Sequence, residues 1–376
     1  MSELLVHSLE EDHPDFFPRS PTMNLVIDGD LLLASPSPTQ GNLLSENEFL
    51  LKKYKTLLEQ NFQARFSILK YIDKPGKIKF YTGLQSYRSF YALYQLLYPE
   101  CLDMNYLGGQ RAETKTVSEK SCADKRGRPR SIILMDELFM TLVRLRRNME
   151  IEELGEKFGI DSSSASRIIN TWLMLIADRF SQIDIWPKSP SPEMLLVPKK
   201  LKPRFKDVHV IVDATEVFSQ RPSAVEAQKE LFSQYKHRVT FKTLVGMDLN
   251  GVLTFTSRVY AGRTSDKKIL AHCGLLEKVK PGCSVMADRG FDMKDVFESL
   301  GINLFIPSFL QKNAQFSAED LKQSREVANV RTHVERVIGR VKEFKIVRYV
   351  LPITLAPMAD KIWFVCCMLS NFTGRL

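Results

Sequence analysis

The sequence predicts an α/β protein in which a helical region precedes a mixed β-sheet flanked by helices. Up to about residue 180, apolar residues recur at spacings of three and four, which is typical of helices. From residue 208 the pattern changes to short runs rich in β-branched residues. Hydrophobic residues make up 44% and charged residues 26% of the chain, so most of it is expected to fold.

The predicted elements after residue 205 follow the order βββαβαβα. Three strands in succession can form an antiparallel meander, whereas the later strands need helical crossovers. This order is also that of an RNase H-like domain, which we predict for residues 205–376. The predicted strands are 208–212, 239–245, 252–260, 284–287 and 303–306, and the predicted helices are 265–279, 293–300 and 329–349.

Composition divides the chain before the sheet into segments. Residues 1–45 combine acidic side chains with five prolines and are predicted to be a disordered tail. Residues 46–107 are predicted to form a helical N-terminal region, with helices over 46–66 and 86–97. The remaining segments are a basic linker at 108–131, three predicted helices within 132–185 and a Pro-rich linker at 186–204.

The charge distribution favours a polyanionic partner. The chain has 53 Lys and Arg against 44 Asp and Glu, which gives a net charge of +9. Residues 1–50 hold nine acids and one base, so the rest of the chain carries a surplus of 17 positive charges. Such a surface releases counterions when it binds nucleic acid, although a solvated surface without function has the same composition.

Cysteine usage and hydropathy predict an intracellular protein with no membrane partner. The six cysteines show no C-x-x-C spacing and no histidine cluster beside them, which argues against a structural zinc site. The N-terminus lacks the basic and apolar regions of a signal peptide, and no run of roughly 18 apolar residues is found.

The pattern from Ile151 fits a helix-turn-helix, so residues 132–185 are predicted to bind DNA. The motif needs a small residue in its first helix and a glycine in its turn, and Gly155 and Gly159 stand at these places. Ser162 is predicted to cap a recognition helix that enters the major groove. An ordinary helical hairpin with a polar outer face is the alternative. The predicted core positions are Leu154, Phe158, Ile160, Ala165 and Ile168, and the predicted outward residues are Ser163, Ser164, Arg167, Asn170 and Thr171.

The basic linker ends in RGRPR at 126–130, which has the core of an AT-hook. Gly127 would let the backbone lie deep in a narrow minor groove, where arginine side chains follow the negative potential. A solvated linker or a nuclear-import signal uses the same residues. The candidate DNA-binding residues of this segment are Arg126, Arg128 and Arg130.

Three acidic residues stand where this topology can bring them together. Asp213 is predicted to end the first strand, Asp288 to end the fourth, and Glu335 to lie in the first turns of the last helix. Converging carboxylates repel each other unless cations lie between them. Two hard cations about 3.5–4 Å apart can activate water and stabilise the leaving 3′ oxygen of a phosphodiester. Oxygen ligands favour Mg²⁺ or Mn²⁺, so we predict a site for two such ions.

Each acid also has an ordinary structural explanation. Asp213 and Asp288 can close turns after their strands, and Glu335 can pair with Arg331 one helical turn earlier. Basic residues that lie near these acids in the sequence are candidates for holding DNA phosphates. They are Arg289, Arg340 and Lys342.

Seven short segments between residues 213 and 372 form a series. In order they are DATEVF (213–218), YKH (235–237), TLVG (243–246), GRTSDK (262–267), MADRGF (286–291), HVERVIGRVK (333–342) and LSNF (369–372). With them, residues from about 132 to 373 resemble the DDE superfamily endonucleases of PIF/Harbinger-type eukaryotic DNA transposons. The resemblance implies an RNase H-like catalytic core with Asp213, Asp288 and Glu335 as its metal-binding triad. Asp266 falls in a resembling segment, but a place in the first turn of a helix suits helix stabilisation instead.

These expectations define a leading function and an alternative. The leading function is a Mg²⁺- or Mn²⁺-dependent endonuclease in the nucleus that hydrolyses phosphodiester bonds at transposon ends and transfers strands into target DNA. Double-stranded DNA is therefore the expected partner. The sequence lacks the zinc-coordinating spacing of the THAP module with which many relatives begin, so the alternative is a host-adopted, catalytically silent DNA-binding or scaffold protein. Whether the chain forms homo-oligomers or works with an accessory DNA-binding protein stays open.

Overall fold

The computed structural model describes residues 66–106, 130–190, 193–291, 293–306 and 318–374, without the side chains of Arg289 and residues 318–324. The predicted acidic tail, nearly all of the predicted helix at 46–66 and most of the basic linker, with Arg126 and Arg128, lie outside these residues. The described chain forms a helical region followed by a mixed sheet with helices packed on it.

The helical region begins with the 3₁₀ turn Ile68–Tyr71. Its helices are α1 (Pro75–Thr82), α2 (Tyr87–Leu97), α3 (Glu100–Asp103), α4 (Leu134–Arg147), α5 (Ile151–Phe158) and α6 (Ser162–Ser181). The predicted helix at 86–97 is confirmed as α2, and Ser86 caps it through a hydrogen bond from Ser89 N to its Oγ at 3.3 Å. Asp136 ties the 3₁₀ turn to α4, because its Oδ1 accepts a hydrogen bond from Ile68 N at 2.9 Å.

Helices α5 and α6 form the predicted hairpin. A Cβ on Gly155 would stand 2.7 Å from the carbonyl oxygen of Ile160, so the close approach requires glycine there. Gly159 ends α5 with a φ of +69°, a left-handed conformation that favours glycine. The predicted cap is wrong by one residue, since Asp161 caps α6 and accepts a hydrogen bond from Ser164 N at 2.8 Å. A carboxylate also gains from the positive end of the helix dipole, which a Ser162 hydroxyl does not.

A mixed sheet lies at the centre of the second half of the described chain. Its strands are β1 (Val208–Phe218), β2 (Phe232–Ser233), β3 (Arg238–Met247), β4 (Leu253–Thr256), β5 (Tyr260–Ala261), β6 (Ser284–Met286) and β7 (Asn303–Phe305). The strand order is β2-β3-β1-β6-β7, and β4 and β5 also pair with β3. Strand β3 is antiparallel to β1, β4 and β5, whereas β6 is parallel to β1 and to β7.

Helices cover both faces of this sheet. They are α7 (Val225–Leu231), α8 (Asp266–His272), α9 (Leu275–Lys278), α10 (Lys294–Ser299), α11 (Ala318–Val341), α12 (Lys345–Arg348) and α13 (Ala359–Ser370). Val210 and Val212 of β1 pack in one cluster with residues of α8, α9 and α10. Ile211 of β1 and Met286 of β6 pack in a second cluster with α11, α12, α13 and the helical region. The two halves of the chain therefore share one core on the α11 side of the sheet.

Several predicted elements differ in extent from the observed ones. Strand β1 continues to Phe218 because its second half pairs with β3, so Asp213 lies inside the strand and not at its end. The predicted helix at 265–279 divides into α8 and α9 at Gly274, which has a φ of +78°. Helix α11 begins at Ala318, so Glu335 lies in its C-terminal half and not in its first turns. The predicted strand at 252–260 divides into β4 and β5, and α7, β2 and α13 were not predicted.

Helix α13 supplies much of the shared core. Its Trp363, Cys366 and Cys367 are almost fully buried, and the helix packs against α6, α11 and β4. The run Ile353–Thr373, which contains α13, is long and apolar enough to cross a membrane, and half of it is buried inside the molecule. The stretch is not an uninterrupted run of roughly 18 apolar residues, because Asp360 and Lys361 interrupt it, and it meets the criterion through its mean hydropathy. A buried core helix meets the same criterion.

Replacing Gly155 by alanine tests the packing of the hairpin. We expect Gly155→Ala to lower the free energy of unfolding by about 1–3 kcal/mol, because the added methyl group meets a backbone oxygen that cannot move independently. Gly339→Ala on α11 is the matched control, since a Cβ there meets no atom within 4 Å, and it should be neutral or stabilising by up to about 1 kcal/mol. Urea denaturation followed by circular dichroism measures both. Equal stability of the two variants would contradict the packing assignment.

Candidate active site

The parallel pairing of β1 with β6 brings Asp213 beside Asp288. Ile211 lies opposite Met286 in this pairing, and each aspartate follows its registered residue by two positions. Because side chains alternate along extended backbone, both carboxylates lie on the face where Ile211 and Met286 contact the α11 side of the core. Asp213 is half-buried, and its own Oδ1 accepts a hydrogen bond from Ala214 N at 2.9 Å.

Helix α11 packs on β1 and brings Glu335 to the same face. The guanidinium of Arg331, one turn before Glu335, lies between the acids. Its Nη1 is 3.8 Å from Asp288 Oδ2, and its Nη2 is 3.6 Å from Glu335 Oε1. The Nε of Arg331 is buried and has no hydrogen-bond acceptor among the described residues. Arg331 therefore supplies the positive charge around which the three acids are grouped.

Burial raises the pKa of Asp213 to about 6. The positive charge of Arg331 and the hydrogen bond from Ala214 oppose this rise, while the negative charges of Asp288 and Glu335 add to it. Since Asp213 senses all three side chains electrostatically, the four residues form one charge group. A carboxylate with a pKa near neutrality in such a group is typical of a functional site.

The chemistry of this group suits a hard divalent cation, although its geometry is not that of an assembled ligand shell. The acids offer only oxygen ligands, which Mg²⁺ and Mn²⁺ prefer. Burial raises the pKa of Asp213, and a nearby cation would lower it again by stabilising the carboxylate. Within the described residues, no three His, Cys, Asp or Glu side chains lie close enough together to hold a metal ion. Arg331 stands among the acids instead.

Lys342 is a predicted phosphate-binding residue that interacts electrostatically with Asp213 of this group. Its Nζ donates a hydrogen bond to the backbone carbonyl oxygen of Glu216 on β1 at 3.0 Å. Burial and the positive charge of Lys236 lower the pKa of Lys342, whereas Glu216 and Asp213 act in the opposite direction. The Glu216 side chain is buried and accepts hydrogen bonds from Ser233 Oγ at 3.0 Å and Thr240 Oγ1 at 2.8 Å, so it holds β2 and β3 to β1.

Asp266 supports the turn that follows Asp288. It lies in the first turn of α8, as predicted, and its Oδ1 is 2.7 Å from Lys242 Nζ on β3. A Cβ on Gly290 would stand 2.9 Å from Asp266 Oδ2, so the turn at 289–291 lies directly against this carboxylate. The pairing with Lys242 was not predicted, because the two residues are far apart in sequence. The side chain of Arg289 lies outside the described part of the chain.

Two predicted DNA-binding arginines have their guanidinium groups engaged within the protein. Arg340 donates hydrogen bonds to the carbonyl oxygens of Gly374 and Gly251, both at 2.8 Å, and burial lowers its pKa. Arg130 donates to the carbonyl oxygen of Met104 at 3.1 Å and lies 3.4 Å from the buried carboxylate of Glu137. The structure thus assigns both arginines contacts that hold distant segments together, and it does not bring Arg340 into the acid group.

The outward face of α6 keeps part of its predicted character. Arg167 is exposed and Asn170 is half-buried. The hydroxyls of Ser163 and Ser164 donate to the Asp161 carboxylate at 2.6 and 2.7 Å, so both take part in the helix cap. Thr171 was expected to face outward but is buried, and its Oγ1 donates to the Arg167 carbonyl oxygen at 2.7 Å.

The role of Arg331 was missed by the sequence analysis. The spacing of four residues from Glu335 does indicate an ion pair on one helix face, and that pair was considered only as an alternative to catalysis. The contact with Asp288 has no sequence signal, because it depends on how α11 packs on the sheet.

Comparison with known proteins finds matches for both parts of the described chain. Residues 212–371, which include all three acids, match the family model of the DDE superfamily endonuclease. Residues 132–182, which include α4, α5 and α6, match the model of the helix-turn-helix of DDE superfamily endonuclease. A putative transposase for insertion sequence element IS112 from Streptomyces albus G is 27% identical over 238 residues, which cover 62% of this chain and 79% of that protein. The mixed sheet and the helical region before it are consistent with such an endonuclease fold.

The raised pKa of Asp213 predicts that this carboxylate destabilises the metal-free protein above pH 6. Asp213 ionises near pH 3.8 when unfolded and near pH 6 when folded, so its contribution to the free energy of unfolding falls as the pH rises through this window. We expect Asp213→Asn to be more stable than wild type by about 1–3 kcal/mol at pH 7.5. The gain should be nearly lost at pH 4, where the folded carboxyl group is protonated and the unfolded one is only partly ionised.

Urea denaturation in the presence of EDTA at pH 4 and pH 7.5 measures this difference. Asp207→Asn, which changes an exposed aspartate just before β1, is the matched control and should show no pH-dependent gain. A gain in Asp213→Asn that is equal at both pH values, or a loss of stability at pH 7.5, would contradict the burial of charge at this position.

Proposed function

We propose that this chain, which carries a DDE superfamily endonuclease domain and the accompanying helix-turn-helix domain, is a transposase that cleaves DNA with the help of divalent metal ions. One observation carries the proposal. Asp213 and Asp288 lie at the same level on one face of the sheet, where Arg331 of α11 links Asp288 with Glu335. The two domains imply that the chain binds DNA, and a group of acids is the chemistry needed for cutting its backbone.

In this proposal Asp213, Asp288 and Glu335 hold one or two Mg²⁺ or Mn²⁺ ions through oxygen ligands. When bound, such ions supply the activation of water and the neutralisation of charge on the attacked phosphate. Arg331 compensates the charge of Asp288 and Glu335 in the metal-free protein, and its guanidinium has to move from at least one of them on loading. Lys342, held against β1 beside Asp213, adds positive charge where a phosphate would approach.

We also propose that the catalytic domain is RNase H-like. The strand arrangement supports this, because a three-stranded antiparallel unit of β1, β3 and β4 with β5 is followed by β6 and β7, which join the sheet in parallel. This is the arrangement that the order βββαβαβα requires. The additional helix α7 and the short strand β2 are an insertion between β1 and β3.

Cleavage at transposon ends and strand transfer into target DNA form the finer part of the proposal. The description of the bacterial relative as a putative transposase supports this activity. Origin from a PIF/Harbinger-type element and localisation in a nucleus are proposed from the sequence motifs alone. The bacterial relative does not support either of them. Double-stranded DNA is the proposed substrate in either case.

A catalytically silent DNA-binding protein is the second candidate. One observation favours it: the described residues contain no assembled group of three metal ligands, and Arg331 stands among the acids. Such a protein would keep the helix-turn-helix and bind DNA without any cleavage that depends on metal. The two candidates differ in one property, which the following experiment measures.

We expect the wild-type protein to cleave a duplex containing transposon ends in the presence of Mg²⁺ or Mn²⁺ and to lose this activity in EDTA. Asp213→Asn, Asp288→Asn and Glu335→Gln should each lower the cleavage rate by roughly 10²-fold or more. Even the replacement of a residue that only hydrogen-bonds to a metal ligand lowers metal affinity or activity by roughly 10–100-fold. Their duplex affinity should stay near wild type. Asp207→Asn is the control. Binding by the wild type with no cleavage in either metal ion would favour the silent protein.

A separate prediction concerns base recognition by α6. We expect Arg167→Ala to reduce discrimination between cognate and random duplex by about 1–3 kcal/mol, if the exposed guanidinium contacts a guanine edge. Lys157→Ala on α5, which removes an exposed cation that pairs with Glu153, is the control. Fluorescence anisotropy with both duplexes measures the effect. An equal loss of affinity on both duplexes would reduce Arg167 to a phosphate contact.

A further inference from the structure

A basic cavity lies where the helical region meets the end of α11, away from the acid group. It has a volume of about 370 Å³ and is bordered by α1, by the last turn of α4 and by the junction between α11 and α12. Five of its side chains are cationic and one is acidic. The cations are Lys79, Arg146, Arg147, Lys345 and Arg348, and the acid is Glu343.

Most of this positive charge is not neutralised within the protein. Among the described residues, no carboxylate lies within ion-pair distance of Lys79, Lys345 or Arg348. Among the cations of the cavity, Glu343 forms an ion pair with Arg146 alone, in which Glu343 Oε2 lies 2.8 Å from Arg146 Nη2. The cavity therefore carries a formal surplus of four positive charges, which a polyanion would balance.

The two arginines of α4 are held in place by aromatic rings. The Arg147 guanidinium lies 3.8 Å from the centre of the Phe80 ring, and the Arg146 guanidinium lies 5.4 Å from that of the buried Phe344 ring. Both contacts orient the planar groups before any ligand arrives. The Nη1 of Arg146 is buried and has no acceptor among the described residues. Since this atom is buried, a phosphate in the cavity would contact the other cationic groups.

We propose that this cavity binds the phosphodiester backbone of duplex DNA as a second contact, separate from α6 and from the acid group. Several cations from three elements suit a row of phosphates better than a single carboxylate, because duplex DNA carries one negative charge per about 1.7 Å of its axis. Glu343 follows Glu335 by eight residues along α11 and its terminal turn, a distance on the order of 12 Å. DNA held at the acid group thus has further phosphates within reach of the cavity.

The proposal rests on DNA binding and not on cleavage, so it is tested by affinity. The variant combines Lys79→Gln, Lys345→Gln and Arg348→Gln, which leaves the acid group and the Arg146–Glu343 pair intact. The charge-matched control combines Lys278→Gln, Lys280→Gln and Lys294→Gln, three exposed positions around α9 and α10. Fluorescence anisotropy with a random duplex of about 30 base pairs is measured at several salt concentrations.

We expect the cavity variant to bind at least about tenfold more weakly than the control at about 0.1 M salt. The slope of log affinity against log salt should fall by about 2–3 units, since each lost phosphate contact contributes about 0.9. Equal affinities and slopes for variant and control would overturn the proposal. A loss of stabilisation by inorganic phosphate in thermal unfolding, with duplex affinity unchanged, would assign the cavity to a small phosphate ligand and also overturn it.

A second variant is expected to change duplex affinity in the opposite direction. Glu343→Gln removes the only acid of the cavity and frees the Arg146 guanidinium, so duplex affinity should rise about two- to fivefold, which misfolding cannot cause. Unchanged or weaker binding by Glu343→Gln would contradict the assignment. The cavity variants are judged by duplex affinity and the variants of the three acids by cleavage rate, so a failure of the cleavage proposal and a failure of the cavity proposal give different results.

Discussion

The parallel pairing of β1 with β6 is the constraint on which the candidate site depends. It fixes Ile211 opposite Met286 and thereby sets Asp213 and Asp288 at one level of the sheet. A shift by one residue would send one of the two carboxylates to the opposite face, among the apolar residues that pack against α8 and α10. Val210, Val212 and Val285 are buried on that face, so the apolar contacts on both sides of the sheet oppose such a shift.

The three grouped carboxylates repel each other, and Arg331 of α11 offsets part of this repulsion. Burial and two neighbouring carboxylates raise the pKa of Asp213 to about 6, and Arg331 limits the rise. The ion pairs of Arg331, at 3.6 and 3.8 Å, are too long to be strong hydrogen bonds. A guanidinium held at this distance neutralises the group without being locked into it, which suits a site that exchanges an internal cation for an external one. The acids are thus compatible with a stable metal-free protein and with proposed metal loading.

The sequence predicted features that depend on local patterns and missed those that depend on distant partners. Most strands of the sheet were predicted from short apolar runs, and the helical hairpin was predicted from Gly155 in its first helix and Gly159 in its turn. The extension of β1 beyond Asp213 was missed because β3 decides it. The hydrogen bonds of Arg340 to Gly374 and Gly251, and of Arg130 to Met104, were also missed, because the partners are tens of residues apart. The contact between Arg331 and Asp288 likewise depends on packing across the sheet.

We propose that Asp213, Asp288 and Glu335 together hold a divalent cation in place of Arg331. Anomalous diffraction from crystals of the whole protein grown with Mn²⁺ tests it most directly. The account predicts anomalous density between Asp213 and Asp288, with the Arg331 guanidinium moved away from at least one of its carboxylates. Saturating Mn²⁺ without density at these acids, and with Arg331 still between Asp288 and Glu335, would contradict it.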